Sequence, residues 1–154
     1  MLTTIKNYNL EDVKRSLKDF LEKGSVDTEN VRQLALNIVS NKGDEIAAVY
    51  DWVKENVRYT PEENELFISP IRMAKDYFAG NALGGDCDDF ALLTASLLRS
   101  LGYNTRILLV DIQGNGLDHA IAQVYSKEVW INLDASSEFP LGWEIKSYSK
   151  VVIS

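Results

Sequence analysis

Gly84–Gly85–Asp86–Cys87–Asp88–Asp89–Phe90–Ala91 carries the single cysteine of the 154-residue chain. The glycine pair reads as a flexible entry to a strongly helical run, Phe90 to Leu101. Cys87 is therefore expected in the first turn of a helix, where backbone N–H groups lack partners and the positive end of the helix dipole favours a thiolate. Asp86, Asp88 and Asp89 suit a helix N-terminus and read as capping and solvated charge. Their charge opposes ionisation of the thiol, so a reactive Cys87 needs a base from elsewhere in the chain. Steps of three and four from Cys87 meet Phe90, Ala91, Thr94, Ala95, Leu98 and Leu101. This predicts one inward-facing stripe headed by the cysteine, with Gly102 ending the helix.

Upstream, the apolar spacing predicts helices over 10–23 (stopped by Gly24) and from Asp27 or Thr28 to about Asn41. A third helix, capped by Asp44, carries Ile46, Val49, Tyr50 and Val53, with Trp52 beside that stripe. Val57–Tyr59 is β-prone, and Glu62 to Glu65 reads as a solvated loop. Ser69–Pro70 opens a fourth helix to about Phe78 with Gly80 as its stop. Beyond Gly102 the pattern changes to strands: Thr105–Asp111, His119–Tyr125, Glu128–Asp134 and, in the tail, Val151–Ile153.

The two middle strands form a hairpin. A loop centred between Ser126 and Lys127 sets Val124 opposite Val129, Ala122 opposite Ile131 and Ala120 opposite Leu133, an entirely apolar face. The other face then holds Gln123 opposite Trp130, Ile121 opposite Asn132, and His119 opposite Asp134. Opposed Cβ atoms lie roughly 4.5–5.5 Å apart, within hydrogen-bonding range for an imidazole and a carboxylate. His119 is the only histidine in the chain. A thiol is largely protonated near neutral pH, an imidazole removes its proton, and a carboxylate fixes the imidazole's tautomer. The Cys87 N–H is the natural first oxyanion donor. Asn81 and Trp52 are candidates for the second, and Trp130 and Gln123 are candidates for the cleft wall. Cys87, His119 and Asp134 are also zinc-ligand types, but they lack the tight ligand spacing of metal sites, and neither a metal nor a cofactor is expected.

The run Gly85 to Ala91, followed by His119–Ala120 and Trp130–Ile131–Asn132–Leu133–Asp134, resembles the transglutaminase-like superfamily of cysteine enzymes. The stretch Tyr50 to Tyr59 resembles the helix-then-tyrosine entry of such domains. The resemblance covers about 44–135 and is closest to small prokaryotic or phage-type members. It implies a papain-like, transglutaminase-like α+β fold with a cysteine-bearing helix on an antiparallel sheet. It also implies Cys87 as nucleophile, His119 as base and acid, and Asp134 as orienter. The superfamily spans transglutaminases, peptidases, amidases that deglycosylate proteins, and inactive members. The calcium sites and flanking β-domains of large animal transglutaminases have no room in this length.

One domain over 1–154 is expected, with 1–43 as a helical extension and 136–154 as a tail. The formal charge of −7 argues against nucleic-acid binding. No signal-like start or membrane-length apolar run is present, so a cytoplasmic protein acting on a protein or peptide substrate is expected, its oligomeric state left open. Hydrolysis is favoured over amine transfer. The alternative is a non-catalytic module binding a polypeptide in the same cleft.

Overall fold

A computed structural model describes residues 9–61 and 67–154. The elements in order are α1 (Leu10–Val26), α2 (Val31–Val39), α3 (Glu45–Asn56), β1 (Val57–Tyr59), α4 (Pro70–Phe78), β2 (Leu83–Gly85), α5 (Cys87–Ser100), β3 (Asn104–Asp111), β4 (His119–Ser126), β5 (Val129–Leu133) and β6 (Ser149–Ile153). The last four form an antiparallel sheet in the order β5-β4-β3-β6, while β1 and β2 pair in parallel as a separate ribbon. Among the described residues no helix is long and apolar enough to cross a membrane.

Helix α5 is the axis of the molecule. Helices α1 to α4 pack around it, and β3 and β4 close its other side. Every residue from Cys87 to Leu98 is buried as a result, including Asp88, Asp89, Thr94 and Ser96. The single stripe expected from the sequence is thus only one of several contact faces. Leu92, Leu93, Leu97 and Leu98 are fully buried; removing each from water is worth roughly 1.5–3 kcal/mol.

Caps set the neighbouring helices. Asn9, Asp44 and Ser69 each accept a hydrogen bond from the first-turn backbone of α1, α3 and α4, respectively. Gly24 does not stop α1, which runs on to Val26. A Cβ at Gly24 would lie 2.8 Å from Ser96 Oγ and 3.1 Å from Pro70 Cβ, so the glycine lets α1 approach α5 and α4 closely. Nor are Gly84 and Gly85 a flexible joint. They lie in β2, where Arg58 pairs with Gly84 and Tyr59 with Gly85. A Cβ on Gly85 would lie 2.7 Å from Asp89 Cβ. The ribbon therefore delivers a fixed backbone to the start of α5.

The hairpin register differs from the expected one by two residues. Ser126 pairs with Val129, Tyr125 with Trp130, Val124 with Ile131, Gln123 with Asn132 and Ala122 with Leu133. The two-residue turn is Lys127–Glu128, both with positive φ (53° and 69°), as a type I′ turn requires. Because strands alternate with a period of two, a two-residue shift leaves every side chain on its expected face. Ala120, Ala122, Val124 and Leu133 join the main core under α5. On the outer face, Leu108, Val110 and Ile121 form a smaller cluster covered by Ile145 of the returning tail. That tail is tied down by Gly142 N–H to Asn132 O and Tyr148 N–H to Asp111 O, both 2.8 Å.

Candidate active site

Three elements bring the site together. The β1–β2 ribbon sets the start of α5, β3 sets β4, and the chain leaving β5 folds back. Cys87 is the first residue of α5 and only 1% exposed. The Ala120 backbone lies close enough to the thiol to favour its ionised form, which places it near the first residues of β4. His119, the first residue of β4, is held opposite Val110 of β3.

Asp134 lies one residue past the end of β5 and is not directly opposed to His119. Continuing the observed register, His119 would face Ser136 and Asp134 would face Ile121. The chain instead leaves the ladder after Leu133, and Ser137 N–H turns back to Asp134 O at 3.4 Å. His119 Nε2 and Asp134 Oδ2 are 2.7 Å apart. An ionised carboxylate only accepts, so Nε2 carries the proton in this pair and Nδ1 keeps its lone pair. Ser136 Oγ donates to Asp134 Oδ1 at 2.9 Å, so both carboxylate oxygens are engaged.

The electrostatics follow from burial and partners. Burial pushes the Asp134 carboxyl up, but the hydrogen bond and charge of His119 and the hydroxyls of Ser136 and Ser137 outweigh it and hold it below the usual carboxylate range. Burial pushes the Cys87 thiol up to about 12; Ala120 N–H works against this, and the charges of Asp86 and Asp134 add to it. Burial and the neighbouring carboxylates thus disfavour the thiolate at rest, against the pull of the helix dipole. Burial, then the charges of Cys87, Asp86 and Asp89, raises the Tyr59 phenol to about 12. Its ring stacks on Phe90, with centroids 6.2 Å apart.

Asp86, Asp88 and Asp89 are not solvated: they are 5%, 0% and 0% exposed. Asp86 and Asp89 form a capping box, with Asp86 N–H on Asp89 Oδ2 at 3.0 Å, and Asp89 Oδ1 also accepts Ile68 N–H at 2.7 Å. Burial, then the charge of Asp86, raises the Asp89 carboxyl to about 8.

The other expected site residues have partners of their own. Gln123 and Trp130 sit on the outer face of the sheet, lining a cavity of about 490 Å³ with Leu108, Asn132 and Glu144. Arg106 lies 3.9 Å above the Trp130 ring and donates to Gln123 Oε1 at 2.7 Å. Trp52 packs edge-on against Tyr77 at 5.0 Å. Asn81 is exposed, its N–H bonded to Asp76 O. Among the described residues none of the four is hydrogen-bonded to Cys87, His119 or Asp134 by a side chain. Ser136 and Ser137 are not among the residues the sequence places at the site, and Tyr59 is expected only as part of the tyrosine entry to the domain. The hydroxyl pair directly after Asp134 was a usable signal, whereas the place of Tyr59 depends on the parallel ribbon, which no pattern announced.

A cysteine on the first turn of a buried helix, packed on an antiparallel sheet that carries a bonded histidine and aspartate, defines the papain-like α+β class. Within that class, residues 29–135 match the family model of the transglutaminase-like superfamily, and the chain belongs to that superfamily. No curated protein matches it. Among solved structures it is similar to a candidate cysteine protease from Cytophaga hutchinsonii (TM-score 0.55, 23% identity, covering 79% of this chain and 49% of that one). It is also similar to a candidate protease from Parabacteroides distasonis (TM-score 0.57, 13% identity, covering 83% and 27%). The chain thus spans about half the length of the first and about a quarter of the second, and at these identities the likeness is one of fold.

Proposed function

We propose that the chain is a cysteine-dependent acyl-transfer enzyme acting on an amide or peptide bond. His119 Nδ1 takes the Cys87 proton as Sγ attacks the carbonyl carbon. The resulting oxyanion is met by the Cys87 N–H at the helix start. Collapse of the tetrahedral adduct breaks the C–N bond, and His119 returns the proton to the leaving amine, leaving an acyl-thioester on Cys87. A second nucleophile, deprotonated by His119, releases the acyl group and restores the thiol. Asp134 holds the imidazole by Nε2 throughout and stabilises its cationic form.

The observation that carries this reading is the 2.7 Å bond from His119 Nε2 to Asp134 Oδ2, which leaves Nδ1 as the basic atom. Among the described residues Nδ1 has no partner, and the next residue, Ala120, is the one whose backbone favours ionisation of the thiol. Water is favoured as the second nucleophile because it needs no binding site of its own, which makes the reaction that of a peptidase or amidase. Transfer to a primary amine is the other outcome of the same thioester.

The test is incubation with a glutamine-rich protein and a primary amine, followed by mass spectrometry. Chain cleavage, deamidation and amine addition give distinct masses, and each should vanish in Cys87→Ala. Retained polypeptide binding without Cys87-dependent turnover would instead establish a binding module.

A further inference from the structure

We propose that Asp86, Asp88 and Asp89 together hold a hard divalent cation, calcium by size, at the start of α5. Each offers a carboxylate oxygen, and these oxygens all lie within 4.8 Å of one another. Clustering alone would not distinguish a cation site from a set of helix caps. Asp88 does. It is fully buried, and among the described residues neither of its oxygens has a hydrogen-bond partner. Asp86 Oδ1 is likewise buried and without a partner.

Capping accounts for Asp89, which accepts from Ile68 and Asp86, but it leaves both oxygens of Asp88 unused. Among the described residues no lysine, arginine or histidine is paired with any of the three aspartates. Buried carboxylates are ordinarily hydrogen-bonded, paired or bound to metal, because the effective cost of burying an ion alone is several kcal/mol. The dipole of α5 opposes a cation here, but it amounts to only about half a positive charge against up to three negative ones.

The donor set is all oxygen, which suits calcium or magnesium rather than softer metals. Calcium–oxygen bonds of about 2.3–2.6 Å place ligands on opposite sides of the ion roughly 4.6–5.2 Å apart. Magnesium, at about 2.0–2.1 Å, allows only roughly 4.0–4.2 Å. A 4.8 Å envelope therefore admits calcium without drawing the side chains together. The ion would join the residues on either side of Cys87, fixing the backbone whose N–H opens α5. This inference is independent of the reaction assigned to Cys87.

The experiment uses the full chain, stripped with a chelator and titrated with Ca²⁺ under calorimetry and thermal unfolding. Saturable binding to one site is expected, and at a hundredfold excess over Kd the unfolding midpoint should rise by about 5 °C or more. Tb³⁺ should occupy the same site and luminesce on excitation of Tyr59. Asp88→Asn, isosteric and lacking the unpaired charge, should lower Ca²⁺ affinity at least tenfold while the metal-free variant melts no lower than metal-free wild type. Asp86→Asn repeats the comparison should Asp88→Asn not fold. Three results would overturn the site: no saturable Ca²⁺ binding at millimolar concentration, equal affinity in the aspartate variants, or Mg²⁺ binding tighter than Ca²⁺.

Discussion

His119 and Asp134 meet at 2.7 Å although the strand ladder does not set them opposite one another. The last pair of the β4–β5 ladder is Ala122 with Leu133, and Asp134 reaches His119 by leaving the strand. Side chains two residues out of register on one face are within reach only when at least one is long or the backbone bends. Here the imidazole supplies length and the turn at 134–137 supplies the bend.

That geometry makes the carboxylate's charge and its acceptor oxygen separable. Asp134→Asn keeps an oxygen for Nε2–H but loses the charge; Asp134→Ala loses both. The expected order of kcat is wild type, then Asn, then Ala, with the alanine variant down by about 10²–10⁴-fold. Steady-state kinetics on whichever amide substrate proves active would test it, and an alanine variant as fast as the asparagine one would refute it.

The same carboxylate links stability to pH. Asp134 ionises below its ordinary 3.8 in the folded chain, so below about pH 4 the unfolded chain binds more protons than the native one. Stability from this group is fully present above that value and is lost as pH falls through the folded one. Urea unfolding at stepwise lower pH should show a steeper loss in wild type than in Asp134→Asn. Parallel curves would mean that the His119 contact does not depress the carboxyl.

Ser136 is the partner of the other oxygen, at 2.9 Å. Removing this hydroxyl frees Asp134 to rotate and costs about one hydrogen bond, roughly 1 kcal/mol. In Ser136→Ala, kcat should fall about fivefold with KM unchanged, and the acid loss of stability attributed to Asp134 should shift to higher pH. A change confined to KM would place Ser136 in substrate binding instead.

Much of this was legible in the residues, for reasons that also explain what was not. Asn9, Asp44, Ser69 and Pro70 mark helix starts by local chemistry, and the structure bears them out. The alternation from Ala120 to Leu133 fixed which side chains face α5, because facing depends only on parity. It could not fix the register to better than two residues, since Val124 packs as well opposite Ile131 as opposite Val129. Gly24 and Gly85 look locally like a stop and a hinge, but distant atoms of Ser96 and Pro70 at one, and Asp89 at the other, are what require a glycine. Burial of Asp88 depends likewise on elements wrapping α5 from every side, which no window around Cys87 contains.

Gly85 offers a direct test of that last point. An alanine Cβ there would lie 2.7 Å from Asp89 Cβ and 2.8 Å from Asp89 Oδ2, on a helix that cannot recede because its other faces are packed. Gly85→Ala should lower stability by about 1–3 kcal/mol, in the range of overpacked cores. It should also displace the start of α5 and with it Cys87. Gly43→Ala, where nothing lies within 4 Å of the added Cβ, is the matched control and should be near neutral. Equal stability of the two variants in denaturant would show that the ribbon can give way at Gly85.

The hairpin turn provides the reverse case, a position where the native residues are not the best ones. Lys127 and Glu128 both occupy the left-handed region, at φ 53° and 69°. That region costs an ordinary L-residue roughly 1–2 kcal/mol, whereas Asn-Gly enters it readily. Both side chains are exposed, so little packing is lost on replacing them. Lys127→Asn combined with Glu128→Gly should therefore stabilise the chain by about 1–2 kcal/mol, a rise in melting midpoint of about 2–8 °C. It should leave turnover untouched, because the turn lies at the far end of β4 from His119. A double variant that melts at or below wild type would show that the strands do not meet through these two residues, and the register that places Asp134 beyond the ladder would fall with it.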